Sequence, residues 1–346
     1  MNNFRIVSII AVAALILTSC KDKPHYFDNS LQEYISDNIS YSEKIEGIPV
    51  ISDAIGAYSL EVVDTMICLA HRQRDMMFSL YNLNGDSLVS VGIMGQGPSD
   101  FTSNRMNGQY VLSDRFAGLW VNDVNASALK LLNLTKSIEE SISCVDSIIP
   151  IQPMVKNAFI VGDTIVQEVI GDGNYDLLAS VDGKLISRFP LYAYNIDLSD
   201  LFVFYDGKMR VSPDGNYMVI AMSAINQLNI LDLSSKHKRI AVSVGGVKSP
   251  DYVMDRENKI PFHTYYSDIA LSDGMIYALY ENQPYITDED HLKNSELHVI
   301  DYTGKIITIF PLDRFLYAIS YSEKDNSIYG IDDNETIVRY KLTECL

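Results

Sequence analysis

An all-β chain folded as a six-bladed β-propeller of four-stranded antiparallel blades is what this sequence predicts, on three observations. The first is an apolar run closing on a turn: Phe78-Ser-Leu-Tyr-Asn-Leu-Asn-Gly-Asp86, Ala128-Leu-Lys-Leu-Leu-Asn-Leu-Thr-Lys136 and Asp176-Leu-Leu-Ala-Ser-Val-Asp-Gly-Lys184. It returns as Leu228-Asn-Ile-Leu-Asp-Leu-Ser-Ser-Lys236 and Leu297-His-Val-Ile-Asp-Tyr-Thr-Gly-Lys305, and without its turn as Ile337-Val-Arg-Tyr-Lys-Leu342. With Leu83, Leu134, Val181, Leu233, Tyr302 and Leu342 as equivalents, the steps are 51, 47, 52, 69 and 40 residues, close to a propeller repeat. The second is another β-prone stretch upstream of each run, at 66–70, 116–122, 164–168, 217–222, 275–280 and 327–331. The third is a pair of echoing segments 153 residues apart, about three repeats. These are Ser90-Val-Gly-Ile-Met-Gly-Gln-Gly-Pro-Ser-Asp-Phe101 and Ser243-Val-Gly-Gly-Val-Lys-Ser-Pro-Asp-Tyr252. Two β-sandwiches would not explain a six-fold recurrence.

The chain opens on Met1-Asn-Asn-Phe-Arg5, a short basic region, followed by an apolar run over 6–17. About twelve residues are too few to cross a bilayer of about 30 Å as a helix. The run ends in Leu17-Thr-Ser-Cys20, which resembles a bacterial lipobox. The resemblance implies that residues 1–19 are a signal peptide and that Cys20 is lipidated with several acyl chains, enough for stable anchoring. The remaining cysteines, Cys68, Cys144 and Cys345, are odd in number and lack metal-ligand spacing, so no disulfide framework is expected.

Residues 20–42 read as a polar tether, with a weak helical periodicity over 31–40. The propeller is expected over 43–346. Within its repeats, strands are joined by tight turns such as Ser212-Pro-Asp-Gly215, Leu271-Ser-Asp-Gly274, Asn84-Gly85 and Asp182-Gly183, where positive φ is needed. Past Leu342 too little chain remains for a fourth strand in the last blade. Residues 44–51, β-prone and without a partner in their own repeat, are expected to pair with 336–342 and close the ring.

Strand alternation sends all the tight turns to one face and nearly all the long loops, 92–108, 191–206, 245–265 and 281–295, to the other. Long loops in compact folds are often functional, so a binding surface is expected on that second face, around the channel. His71, Arg72, Arg74, Arg105, Arg256 and His263 map there. They form a candidate site for a carboxylate or another anionic group, against the alternative that each arginine pairs a nearby acid.

Lys and Arg total 27 against 45 Asp and Glu, a net charge of −18, which repels phosphate backbones and excludes nucleic acid as a partner. Twenty-two tyrosines against one tryptophan suit half-buried sheet surfaces. No zinc-peptidase, nucleophile-elbow or Walker pattern is present, and no cofactor or metal is expected. Asp172-Gly-Asn-Tyr-Asp176 begins like a calcium loop but lacks its later glycine and glutamate, at Leu177 and Gly183. Asp288-Glu-Asp-His291 reads as a solvated loop tip.

Together the lipobox, the six repeats and Gly95-Gln-Gly-Pro-Ser-Asp-Phe101 resemble the TolB-like six-bladed β-propeller lipoproteins of Gram-negative bacteria. Gly95, Gly97, Pro98, Asp100 and Phe101 match that group's Gly-x-Gly-Pro-x-acid-Phe stretch. The second copy keeps Pro250, Asp251 and Tyr252 but loses two glycines. The resemblance implies an address and a fold rather than a reaction. The expected protein is a binding module of the cell envelope, held at the outer membrane by lipid on Cys20, with a protein or glycan partner. The alternative is a propeller hydrolase or lyase with a metal at the channel mouth.

Overall fold

The computed structural model describes residues 30–35, 39–72, 75–171, 174–191, 206–233, 239–244, 254–255, 260–285 and 292–342. Six antiparallel sheets follow one another along the chain: blade 1 (57–93), blade 2 (105–150), blade 3 (155–190), blade 4 (207–244), blade 5 (263–311) and blade 6 (316–341). In each blade the strands pair in chain order, and the first, innermost strand faces the axis. These inner strands are Ala57–Val63, Arg105–Ser113, Val155–Val161, Gly207–Val211, His263–Leu271 and Leu316–Ser322.

The recurring apolar run is the third strand of every blade and the stretch before it the second. Second strands such as Met66–His71 and Tyr217–Met222 are buried at almost every position, because blades stack face to face and cover both sides of the sheet. The core is accordingly divided among six apolar clusters, one per interface between neighbouring blades. Each fully buried leucine, isoleucine or phenylalanine contributes about 1.5–3 kcal/mol, so ring stability rests on these six interfaces together.

Asp182 and Gly183 both take positive φ, 49° and 73°, as a two-residue hairpin between third and fourth strands requires. Blade 2 departs from the pattern. Where its third strand was expected to close on a turn, a helix runs over Leu134–Glu140, capped by Asn133, whose side chain accepts from the Lys136 amide. Burial of Leu134 and Ser137 secures that helix. The 69-residue step carries an insertion between blades 4 and 5 that includes a small hairpin, Met254–Asp255 with Ile260–Pro261.

Ring closure follows the expectation. Ile48–Ile51 pairs antiparallel with Ile337–Lys341, in the register Ile48 to Arg339 and Ile51 to Ile337, and becomes the fourth strand of blade 6. The segment before it does more than a tether would. Ser30–Ile35 is a strand, paired in parallel along Arg239–Val244 at the outer edge of blade 4. Tyr41 and Ile45 then bridge in parallel to Ile309 and Leu312 at the edge of blade 5. The weak helical periodicity over 31–40 yields to this pairing, since an isolated helix that short gains little without packing, while an open sheet edge offers ready backbone partners. Among the described residues no helix is long and apolar enough to cross a membrane.

Candidate functional site

The inner strands carry charges where a packed channel would favour apolar side chains. Arg210 on blade 4 extends across the axis and donates to the Glu61 carboxylate on blade 1. Its second amino group lies 3.9 Å from Asp268 on blade 5. All three side chains are buried. Gly108 on blade 2, with φ +80°, stands where any Cβ would press into the guanidinium, so glycine is needed there for both conformation and space. Burial pushes the Glu61 carboxyl up, and Arg210 only partly offsets it. Burial would likewise loosen the Arg210 proton, but Glu61 and Asp268 outweigh it and hold the guanidinium charged.

Around this cross-tie, inner-strand side chains bond to the next blade's backbone. Asp268 accepts the Ile319 amide at 3.0 Å, Ser320 accepts the Val62 amide at 3.0 Å, and Gln109 both accepts from and donates to Ile160. Blades 5 to 6, 6 to 1 and 2 to 3 are thereby stitched beside the axis. Such buried polar bonds rigidify when fully satisfied.

Above the cross-tie lies a cavity of about 170 Å³ with contributions from five blades. Its buried depth is Glu61, Arg210 and Ser320, with half-buried Gly108 beside them, and its exposed rim is Tyr110, Asp273 and Glu323. Pro213, Asp273 and Glu323 belong to the tight turns between first and second strands, so the cavity opens on the tight-turn face. Loop length points to the opposite end. The hollow instead arises from small inner-strand residues, Gly108, Ala270 and Ser320, that leave the axis unfilled.

On the long-loop face, Arg72 and Arg105 are brought together at Tyr58, whereas the two histidines are structural. The Arg72 guanidinium lies 5.2 Å from the Tyr58 ring centre, and Arg105 donates to the Lys156 carbonyl at 3.4 Å. Burial raises the Tyr58 phenol against the pull of both arginines. His71 is buried, its ring nitrogens 2.9 Å from the Ser79 hydroxyl and 3.2 Å from the Ile55 carbonyl. His263 sits on blade 5, stacked on Tyr265 at 5.8 Å. Arg74, Arg256, Cys20, Cys345, residues 172–173, the second glycine–proline segment beyond Val244 and the 288–291 tip lie outside the described residues. Cys68 and Cys144 are buried free thiols. Among the described residues no group of three or more His, Cys, Asp and Glu side chains is arranged to hold a metal ion.

The Gly95–Phe101 loop is a knot between blades 1 and 2. The Gly97 amide donates to Asp100 at 2.8 Å, and the glycines leave room for that carboxylate to fold back over them. Phe101 is fully buried, edge-on to Phe78 at 5.1 Å, with the Lys130 ammonium 5.1 Å from its ring centre. Lys130 pairs with buried Asp123 at 2.9 Å. Burial would raise the Asp123 carboxyl, but Thr102 and Lys130 donors hold it below the usual carboxylate range.

His298, fully buried in blade 5, is held between the Tyr266 hydroxyl at 3.2 Å and Glu296 at 3.3 Å. Burial lowers its pKa, with Glu296 opposing. The native imidazole therefore stays neutral where the unfolded one takes a proton, so stability falls as pH drops below about 6.5. The buried carboxyls act in the opposite direction over this range, so the expected result is relative: from pH 7.5 to 5.5 the unaltered chain loses melting temperature against His298→Gln. An unchanged difference between the two chains would refute this.

Sequence reading missed Glu61, Arg210 and Asp268. Their signal is a charge inside an otherwise apolar run, as in Ser59-Leu-Glu-Val-Val63 and Lys208-Met-Arg-Val211.

A family model described as TolB-like 6-blade propeller-like matches residues 56–324. No curated protein matches. Among solved structures, a member of the DUF4221 family from Bacteroides vulgatus is similar in fold, with a TM-score of 0.54 at 13% identity, covering 87% of this chain and 96% of its own.

Proposed function

This chain belongs to the TolB-like six-bladed propeller family, and from that premise we propose that it is a lipid-anchored binding module of the bacterial cell envelope. Cys20 carries the anchor and the channel mouth takes the ligand. One observation carries the binding reading over a catalytic one: the serine hydroxyls and the arginine that line the cavity are already committed to structural bonds. Ser212 bonds Asp214 and the Tyr217 amide, Ser272 the Met275 backbone, and Ser320 the Val62 amide and Glu61. Arg210 is held by Glu61. A hydroxyl nucleophile needs freedom to attack as well as a base, and these hydroxyls are each tied to backbone: Ser212 to Tyr217, Ser272 to Met275 and Ser320 to Val62. What remains is a rigid, charged hollow of fixed shape, suited to recognition. The Leu17-Thr-Ser-Cys20 stretch supports the anchor.

Two measurements test the two halves. Expressed with its own leader in a Gram-negative host, the full chain should incorporate labelled palmitate and sediment with membranes, and Cys20→Ala should do neither. Identical fractionation and labelling of the two chains would remove the anchor. For the module, a thermal-shift screen of envelope components against the full chain in detergent should yield at least one stabilising compound that Glu323→Trp, a substitution at the exposed rim, abolishes. A screen with no such compound would end the reading.

A further inference from the structure

We propose that the tight-turn mouth of the channel binds a small organic cation, an amine or guanidinium group on a short carbon chain. This deepens the binding-module reading and rests on it. The cavity of about 170 Å³ adjoins a recess of about 180 Å³, the two sharing Val62, Tyr110, Tyr321 and Glu323. Each is comparable with an engineered hollow of about 150 Å³ that accepts benzene, so a ligand of side-chain size fits.

Charge selects the sign of the ligand. The basic side chains that line the two hollows are both matched, Arg210 by Glu61 and Lys324 by Asp64 at 3.5 Å. Asp273 and Glu323 have no ion pair among the described residues, which leaves the mouth negative. The Tyr110 phenol registers this field: burial raises it, and Glu323, Glu61 and Asp273 raise it further. A carboxylate or phosphate ligand would meet repulsion here, whereas a cation gains from both acids.

The walls select an organic cation over a metal ion. Tyr110 stands at the rim, 38% exposed, and Tyr321 is held stacked on Tyr277 at 4.8 Å. Tyrosine faces attract ammonium and guanidinium groups, while Val62, Leu271 and Pro213 supply apolar contact for a carbon chain. Calcium and magnesium instead require six or more oxygens at close range. A further mark is Ser322, which lines the recess, is 2% exposed and has no hydrogen-bond partner for its hydroxyl. A buried hydroxyl left unsatisfied is costly, and an N–H donor entering the recess would satisfy it.

Three probes of equal chain length separate the possibilities: cadaverine, pentane-1,5-diol and glutarate, titrated calorimetrically into the full chain in detergent. Cadaverine should bind with a dissociation constant of about 1 mM or tighter, the diol at least about tenfold more weakly, and glutarate more weakly still. Asp273→Asn with Glu323→Gln, both exposed, should weaken cadaverine at least about tenfold, and added salt should weaken it in the unaltered chain. The melting temperature of the double variant should stay within a few degrees of the original. Equal binding of diol and cadaverine, no detectable cadaverine heat at about 10 mM, or an affinity indifferent to the double substitution would each overturn the proposal. A neutral or anionic envelope component that Glu323→Trp displaces would keep the binding module and overturn the cation.

Discussion

Arg210→Met is expected to destabilise the propeller by about 3–5 kcal/mol, the usual cost of leaving buried charge without its partner. Two carboxylates, Glu61 and Asp268, depend on that one guanidinium, and all three are buried beside the axis. The deficit should depend on pH. Burial raises the Glu61 pKa, so the native carboxyl holds its proton where the unfolded one has lost it, and stability falls as pH rises past about 4.5. Without Arg210 that effect grows, and the variant should lose more against the unaltered protein at pH 8 than at pH 5. Adding Glu61→Gln to Arg210→Met should recover part of the loss, giving a positive coupling in a double-mutant cycle. Urea midpoints for the four chains at both pH values check this. A single variant that unfolds at the original midpoint would show that the axis needs no cross-tie.

Truncation should have an effect of similar size. A chain beginning at residue 39 keeps the closing strand and, among the described residues, loses the pairing of Ser30–Ile35 with blade 4, so its melting temperature should fall modestly. A chain beginning at residue 52 loses Ile48–Ile51, exposes the edge of Ile337–Lys341, and removes Ile51 from the interface between blades 6 and 1. One buried isoleucine contributes about 1.5–3 kcal/mol and each ladder hydrogen bond about 1 kcal/mol, so a loss of roughly 4 kcal/mol or more is expected. That corresponds to a fall of about 6 °C or more for a chain of this size. The open edge should also associate, visible as a concentration-dependent increase in mass by light scattering. Equal melting of the two truncated chains would refute closure by this strand.

The fold was legible because its information is local and repeated. Turns such as Asp182-Gly183 and runs such as 297–302 state their conformation within a few residues, and six copies supply the architecture. Closure was legible for the same reason: one strand lacked a partner and one blade lacked a strand. The site was not. Arg210, Glu61 and Asp268 stand on blades 4, 1 and 5, and the long-range distances between them exist only once the ring forms. The cavity lies opposite the long loops because loop length measures chain, not hollow space, and the hollow here is what Gly108 and Ala270 fail to fill. Gly95 to Phe101 was legible as a motif, but its work, a knot between blades 1 and 2, depends on Asp123 and Lys130 further along the chain. The outer strand at Ser30–Ile35 was hidden because its partner sits about two hundred residues downstream.

The pairing of Ile48 with Arg339 has a kinetic consequence. Synthesis runs from the N-terminus at about 5–20 residues per second, so roughly fifteen seconds to a minute separates the emergence of the two partners. Throughout that interval the early strand lacks the partner that closes the ring, and by its end five sheets form an open arc. Closure must therefore wait for Ile337–Lys341 to be made, which favours a chaperone that shields the arc until that strand is delivered.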